Sequence, residues 1–285
     1  MMDLHCHSVF SDGTDTPEKL IALGKTAGLS LLALTDHDCI DALPTFLPAG
    51  WRADLSVLSG IEVDVRMDGV DPDTEIHLLG YGFDPGDSAL QKLLRSQVVQ
   101  RDQRNARIVE RLAEQGFPVT LPTKKQGTVS RAHIAKALVD AGHAADISDA
   151  FSRFLGADGI ARDNVEKPHA ASIIALLHQA GGRTAIAHPM LIRADLFLLL
   201  GALAAVGLDG LEVYYPTHTA ADIVALRSLA LVHGLFVSVG SDHHGQMRQN
   251  NQLGSLSAWA ALDPAVRETE AQMLRLAEAA FFDGS

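Results

Sequence analysis

The run DLHCHSVFSDG at residues 3–13 places His5, His7 and Asp12 behind a short apolar start. Two imidazoles two residues apart point to one face of an extended strand, where a single cation could take a nitrogen from each. A carboxylate beyond the following turn, which Gly13 closes, could bind a second cation or bridge to it. An isolated His-x-His is as readily a pair of half-exposed strand residues. Further groups of the same residue types shift that balance: TDHD at 35–38, SGIE at 59–62 with EIHLLGY at 75–81, AHP at 187–189 and GSDHHG at 240–245. Together they offer His5, His7, Asp12, His37, Glu62, His77, His188, Asp242 and His244. Nine ligand-type side chains are too many for one ion. With about three or four protein ligands per cation and a shared carboxylate, two to three divalent ions fit, and mixed imidazole and carboxylate donors suit manganese, iron or zinc better than magnesium or calcium.

Such ligands need rigid elements behind them. Aliphatic runs precede most of the groups: Leu31 to Leu34, Leu55 to Leu58, Thr184 to Ala187 and Phe236 to Val239, each ending in polar or glycine residues as a buried parallel strand does. Helical patterns alternate with them. Thr16-Pro17 should open a helix with Leu20, Ile21, Leu23 and Ala27 inward, and Lys167-Pro168 another running through Ala180. Ala194 to Val206 and Ala220 to His233 read as further helices, and the very apolar stretch Leu196 to Leu208, too short to span a bilayer, as a buried one. This βα rhythm predicts an α/β barrel with its site at the strand C-termini.

The rhythm stops between about 95 and 165, where helical segments (Ser88 to Gln115, Ser130 to Ala141, Ile147 to Phe154) replace it. The expected division is a barrel over 1–95 and 166–285 with a small helical insertion over 96–165. Residues 95–136 carry nine Lys or Arg against three acids, a local +6 in a chain whose net charge is −12, so the remainder holds −18. A basic lobe facing an acidic metal pocket could hold a polyanion, although the same arginines would also suit a solvated helix face. The overall charge argues against wrapping duplex DNA. Cys6 and Cys39 read as small packing residues, and neither a targeting segment nor a membrane span is visible, so a cytoplasmic location is expected.

DLHCHSVFSDG, TDHD, GIE, HLLGY, AHP and GSDHHG resemble the motif set of the polymerase and histidinol phosphatase (PHP) superfamily. The resemblance implies a distorted (β/α)7 TIM-like barrel, a trinuclear metal centre with manganese foremost and phosphoesterase activity through a metal-bound hydroxide attacking phosphorus in line. It implies one metal on His5, His7, Glu62 and Asp242, a second on Asp12, His37 and His244, and a third on Glu62, His77 and His188. SRAHIAKAL at 130–138 and KPHAAS at 167–172 resemble the branch that dephosphorylates nucleoside 3′,5′-bisphosphates and trims short RNA from its 5′ end. Arg131 and His133 would then contact substrate phosphate, helped by Arg101 and Arg104. His218, which follows the strand Gly210 to Val213, is the candidate general acid, whereas His243 should point away from the site. Two alternatives remain: a phosphatase for histidinol phosphate or another small ester, and a non-catalytic, metal-stabilised module associated with a polymerase.

Overall fold

The computed structural model describes the chain except for residues 73, 124–126, 157, 164–165 and 284–285, and the side chains of 281–283. Lys124 and Lys125, two of the nine cations counted above, lie outside the described residues. Seven strands, β1 (Met2–Asp3), β2 (Leu31–Leu34), β3 (Ser56–Val65), β4 (Ile76–Tyr81), β5 (Arg183–Ile186), β6 (Gly210–Tyr214) and β7 (Phe236–Val239), form one sheet in chain order. Leu4 N–H donates to the Val239 carbonyl at 2.9 Å and Asp242 N–H to that of His5 at 2.8 Å, so the last strand returns to the first and the barrel nearly closes. β2, β6 and β7 are almost wholly buried and, but for Glu212 and Ser238, apolar, as expected where helices cover the outer face.

The ladder is not parallel throughout. β4 runs antiparallel to both β3 and β5. The reversal follows from the short connection after β3, which has no room for a crossover helix before the chain re-enters the sheet. It also decides where His77 goes: near the start of a reversed strand and opposite Asp64, it reaches the same barrel end as residues at the finish of forward strands.

Helices α1 (Pro17–Thr26), α2 (Leu43–Arg52), α3 (Ser88–Glu114), α4 (Arg131–Asp140), α5 (Ile147–Ala150), α6 (Ala170–Gln179), α7 (Leu196–Ala205), α8 (Ala220–His233), α9 (Ser257–Ala260) and α10 (Pro264–Asp283) complete the molecule. Thr16 caps α1 by accepting from Lys19 N–H, with Pro17 in the first turn. α2 was not among the expected helices, because Pro44 and Pro48 obscure its pattern. α6 starts at Ala170 and not at Lys167: the Pro168 carbonyl accepts from Arg66 N–H, and His169 takes the cap. α7 is half-buried where full burial was expected. Leu199, Leu200 and Leu203 pack inward while Phe197 and Leu198 stand exposed.

α3 continues through residue 95, contributing Leu90 and Leu94 to the barrel core and then Ile108 and Leu112 to a second, smaller core with Ile134, Leu138, Phe154 and Leu155. No helix among the described residues is long and apolar enough to cross a membrane.

Candidate metal centre and adjoining cavity

All nine expected ligand residues converge at one end of the barrel. Glu62, at the heart of the group, meets five imidazoles: His77 Nδ1 at 2.8 Å and His188 Nε2 at 3.0 Å on Oε1, and His37 Nδ1 at 2.9 Å, His7 Nε2 at 3.3 Å and His5 Nε2 at 3.5 Å on Oε2. Asp242 Oδ1 stands 3.3 Å from His7 Nε2 and 3.5 Å from His5 Nε2, and Asp12 Oδ1 lies 3.2 Å from His244 Nε2. The groups tight enough to share one ion are His7, Asp12, His37 and His244; His5, Glu62 and His188; His5, His7 and Asp242; and His37, Glu62 and His77. This partition differs from the one the resemblance implies: His37 is grouped with Glu62 and His77 as well as with Asp12, and His5 with His188.

The donor set fits divalent cations. Asp12 Oδ1, Glu62 Oε2, His188 Nδ1 and His244 Nε2 are buried without a hydrogen bond, a costly state for polar atoms that a cation would relieve. Burial works to raise the carboxyl of Glu62, but the imidazoles of His37, His77 and His5 outweigh it and hold the group well below the usual range. Asp12 and Asp242 are likewise lowered against burial, by His37 and His244 around the first and by His244, His5 and Arg248 around the second. Burial depresses His37, yet Glu62 and Asp12 lift it to about 9. His188 and Asp242 both adopt left-handed backbone (φ 30° and 51°), a conformation non-glycine residues keep only when their surroundings impose it.

Several supporting residues escaped the sequence reading. Asp36 accepts from Ser8 N–H at 2.8 Å and Ser8 Oγ at 2.6 Å, and also from Ser11, which fixes the turn between His7 and Asp12. Tyr215 donates its hydroxyl to Asp242 Oδ2 at 2.8 Å, and Arg248 pairs with the same oxygen. Glu212 lies fully buried against His5 and His188. An acid within the apolar strand GLEVY is the signal that could have exposed it. His243 bonds Asp15 and the Asn251 carbonyl, facing away from the ligands.

Beside the histidines, with Asp64 Oδ1 3.9 Å from His77 Nε2, lies a cavity of about 510 Å³ whose lining includes Arg101, Arg104 and Arg131 together with Asp38, Asp64 and Glu75. Arg101 pairs with Asp38 and Arg131 with Glu75. Arg104 is only 5% exposed and donates to Asn105 Oδ1 at 2.9 and 3.2 Å. Burial, with Arg101 and Arg131 nearby, pulls its pKa down to about 9. Arg162 lines the cavity too, whereas Arg107 and Arg111 clasp Asp163 and Lys136 pairs with Asp140. His133 does not line it either. Its Nδ1 accepts from Ser130 N–H in the capping box of α4, while Ser130 Oγ donates to Asp12 Oδ2 at 3.2 Å and ties the helix start to the metal-type cluster.

His218, the expected general acid, packs its ring against that of Tyr215. Its Nδ1–H donates to the Val213 carbonyl at 2.9 Å, its Nε2 is buried without a partner, and burial lowers its pKa. In this tautomer Nε2 is the nitrogen left to exchange a proton.

A family model for the PHP domain matches residues 3–161. The chain belongs to the PHP family. It is 32% identical over 248 residues to a 5′-3′ exoribonuclease of Haemophilus influenzae, covering 85% of this chain and 89% of that protein. It is 30% identical over 286 residues to a 3′,5′-nucleoside bisphosphate phosphatase of Chromobacterium violaceum, covering 97% and 99%. A solved structure from Bifidobacterium adolescentis, provisionally described as a metal-dependent phosphoesterase, superposes with a TM-score of 0.80 at 33% identity over 89% of this chain and 91% of that one. The PHP chain is a hydrolase of phosphoric esters that uses divalent metal ions, and its barrel is the distorted seven-stranded form. These relatives favour neither histidinol phosphate nor a non-catalytic module.

Proposed function

We propose that this enzyme removes a phosphate from nucleoside 3′,5′-bisphosphates and, as a related activity, acts from the 5′ end of short RNA. The observation that carries the reading is Arg104, a buried guanidinium without a carboxylate partner among the described residues, beside Arg101 and Arg131 in a cavity adjoining the histidine and carboxylate cluster. A buried cation in that state calls for an anion. One phosphate at the cluster and a second in the cavity describe a bisphosphate, and the names of the Chromobacterium and Haemophilus relatives fit the same chemistry.

His5, His7, Asp12, His37, Glu62, His77, His188, Asp242 and His244 would hold two to three divalent ions, with manganese the preferred candidate and zinc or iron alternatives. Bound there, such ions supply Lewis acidity toward phosphate oxygens and acidify water. Arg131 and Arg101 orient the second phosphate through paired N–H bonds, with Arg104 adding charge behind them. A contact from His133 would have to use Nε2, since Nδ1 serves the cap. His218, whose ring lies beside that of Tyr215, would take the proton of the attacking water and return it to the leaving oxygen as the P–O ester bond breaks. The helical segment 96–165 acts as the substrate-binding lobe on a barrel formed by 1–95 and 166–285, and a cytoplasmic location suits nucleotide substrates.

The test is a panel of phosphate esters assayed with manganese. A nucleoside 3′,5′-bisphosphate should be turned over with far higher kcat/KM than phenyl phosphate or histidinol phosphate, and Arg131→Ala should erase most of that preference. Equal kcat/KM across the panel would remove the second-phosphate reading.

A further inference from the structure

The Glu212 carboxylate, on β6, is wholly enclosed and divided between two metal-type residues from distant parts of the chain. Its Oε1 sits 3.0 Å from His5 Nδ1 and its Oε2 accepts from His188 N–H at 2.6 Å. The far nitrogen of His5, Nε2, points into the cluster, 3.2 Å from His7 Nε2 and 3.5 Å from both Glu62 and Asp242. An ionised carboxylate only accepts hydrogen bonds, so the proton between His5 and Glu212 belongs to Nδ1 and the lone pair is left on Nε2. The second oxygen grips the backbone of His188 where φ is 30°, a strained turn that aims His188 Nε2 at Glu62 Oε1, 3.0 Å away. Gly240 completes the fit, because a Cβ there would collide with both Glu212 Oε1 and His5.

We infer that Glu212 is a positioning residue beneath two metal subsites at once, selecting the Nε2-ligating tautomer of His5 and holding the backbone turn that presents His188. This rests on the metal reading of the nine residues and adds to it a single buried carboxylate that couples the subsites. Glu212→Gln keeps the shape but places an N–H₂ where an acceptor is required. If the amide oxygen stays with His188 N–H, the amide nitrogen faces His5 Nδ1 and forces the proton onto Nε2, the nitrogen the metal needs. If the amide turns over, its donor meets His188 N–H and the strained turn loses its anchor. A glutamine can therefore serve one of the two residues but not both.

The experiment uses the full chain with histidine labelled at both ring nitrogens, loaded with zinc as a diamagnetic probe, followed by long-range proton–nitrogen correlation and metal analysis. In the wild type, His5 should carry its proton on Nδ1 and exchange it slowly. Glu212→Gln should bind zinc about 10–100-fold more weakly at the affected sites, and in the zinc-loaded variant the slowly exchanging Nδ1 proton of His5 should be lost. A wild-type His5 protonated on Nε2 overturns the inference without any variant, which keeps the test decisive should Glu212→Gln fail to fold. Zinc bound equally well by both proteins, with His5 unchanged, also overturns it while leaving the metal reading intact. Wild-type protein that takes up no zinc, manganese or iron overturns both.

Discussion

Replacing Arg104 by methionine should make the protein more stable and a poorer enzyme. Its guanidinium is pulled from 12.5 to about 9 by burial and by Arg101 and Arg131. At about 1.36 kcal/mol per pH unit, carrying that charge inside the fold costs roughly 4–5 kcal/mol. Methionine fills similar volume and gives up the bonds to Asn105 Oδ1 at 2.9 and 3.2 Å, together worth about 1.5–3 kcal/mol. The net expectation is a gain of roughly 1–3 kcal/mol, or several degrees in Tm at about 2–4 °C per kcal/mol for a chain of this size. Because the folded pKa lies below the unfolded one, the folded state binds fewer protons between about 9 and 12.5. The penalty is therefore complete below about 9 and fades as pH rises toward 12.5, so the variant's advantage should be flat from pH 6 to 8 and shrink above about 9. Thermal unfolding with and without inorganic phosphate is the assay: phosphate should raise the wild-type Tm and leave Arg104→Met little changed. A variant less stable than wild type, with an undiminished response to phosphate, would refute the idea that Arg104 is a cation awaiting an anion.

The other predictions concern the surrounding residues. Glu62→Gln should lower bound metal at more than one subsite, whereas Asp242→Ala should lose less metal yet still reduce kcat by orders of magnitude; metal analysis beside kcat separates them, and full occupancy in Glu62→Gln would end its bridging role. His218→Ala should flatten the acidic limb of the pH–kcat profile, because the lost group is a base whose pKa burial has lowered; an unchanged limb would show that another group accepts the proton. Burial of Glu75 is outweighed by Arg131, which brings that carboxyl to about 2, so the pair persists through neutral pH and loosens only as pH falls toward that value. Glu75→Gln should accordingly release Arg131 and lower KM for a bisphosphate several-fold with kcat little altered, and a raised KM would mean that Glu75 orients the guanidinium instead.

Most of the residues that meet at the barrel end were legible because they stand where an apolar run stops. His37 follows Leu31 to Leu34 and Asp242 follows Phe236 to Val239, so a period-two strand pattern and a count of ligand-type side chains suffice to bring them together. Glu212 and Asp36 were harder to see. Each is a buried acid whose partners lie far along the chain, His5 and His188 for one, Ser8 and Ser11 for the other, and no local spacing announces such a bond. The reversed direction of β4 was hidden too, since an apolar six-residue run reads alike in either direction. The basic character of 95–136 was plain, but charge alone could not tell Arg101, Arg104 and Arg131, which line the cavity, from Arg107 and Arg111, which are spent on Asp163.

That last distinction bears on how the two halves of the site communicate. Ser130 caps α4 and donates to Asp12, and the residue after it is Arg131. Asp12 is therefore joined to the very turn from which Arg131 reaches the cavity. Thr128, two residues earlier, donates to the carbonyl of His37, so the same short segment is tied to a second ligand-type residue. The segment 128–131 thus gives the cluster a direct mechanical grip on the arginine proposed to hold the second phosphate. Two hydrogen bonds join the turn before Arg131 to Asp12 and His37.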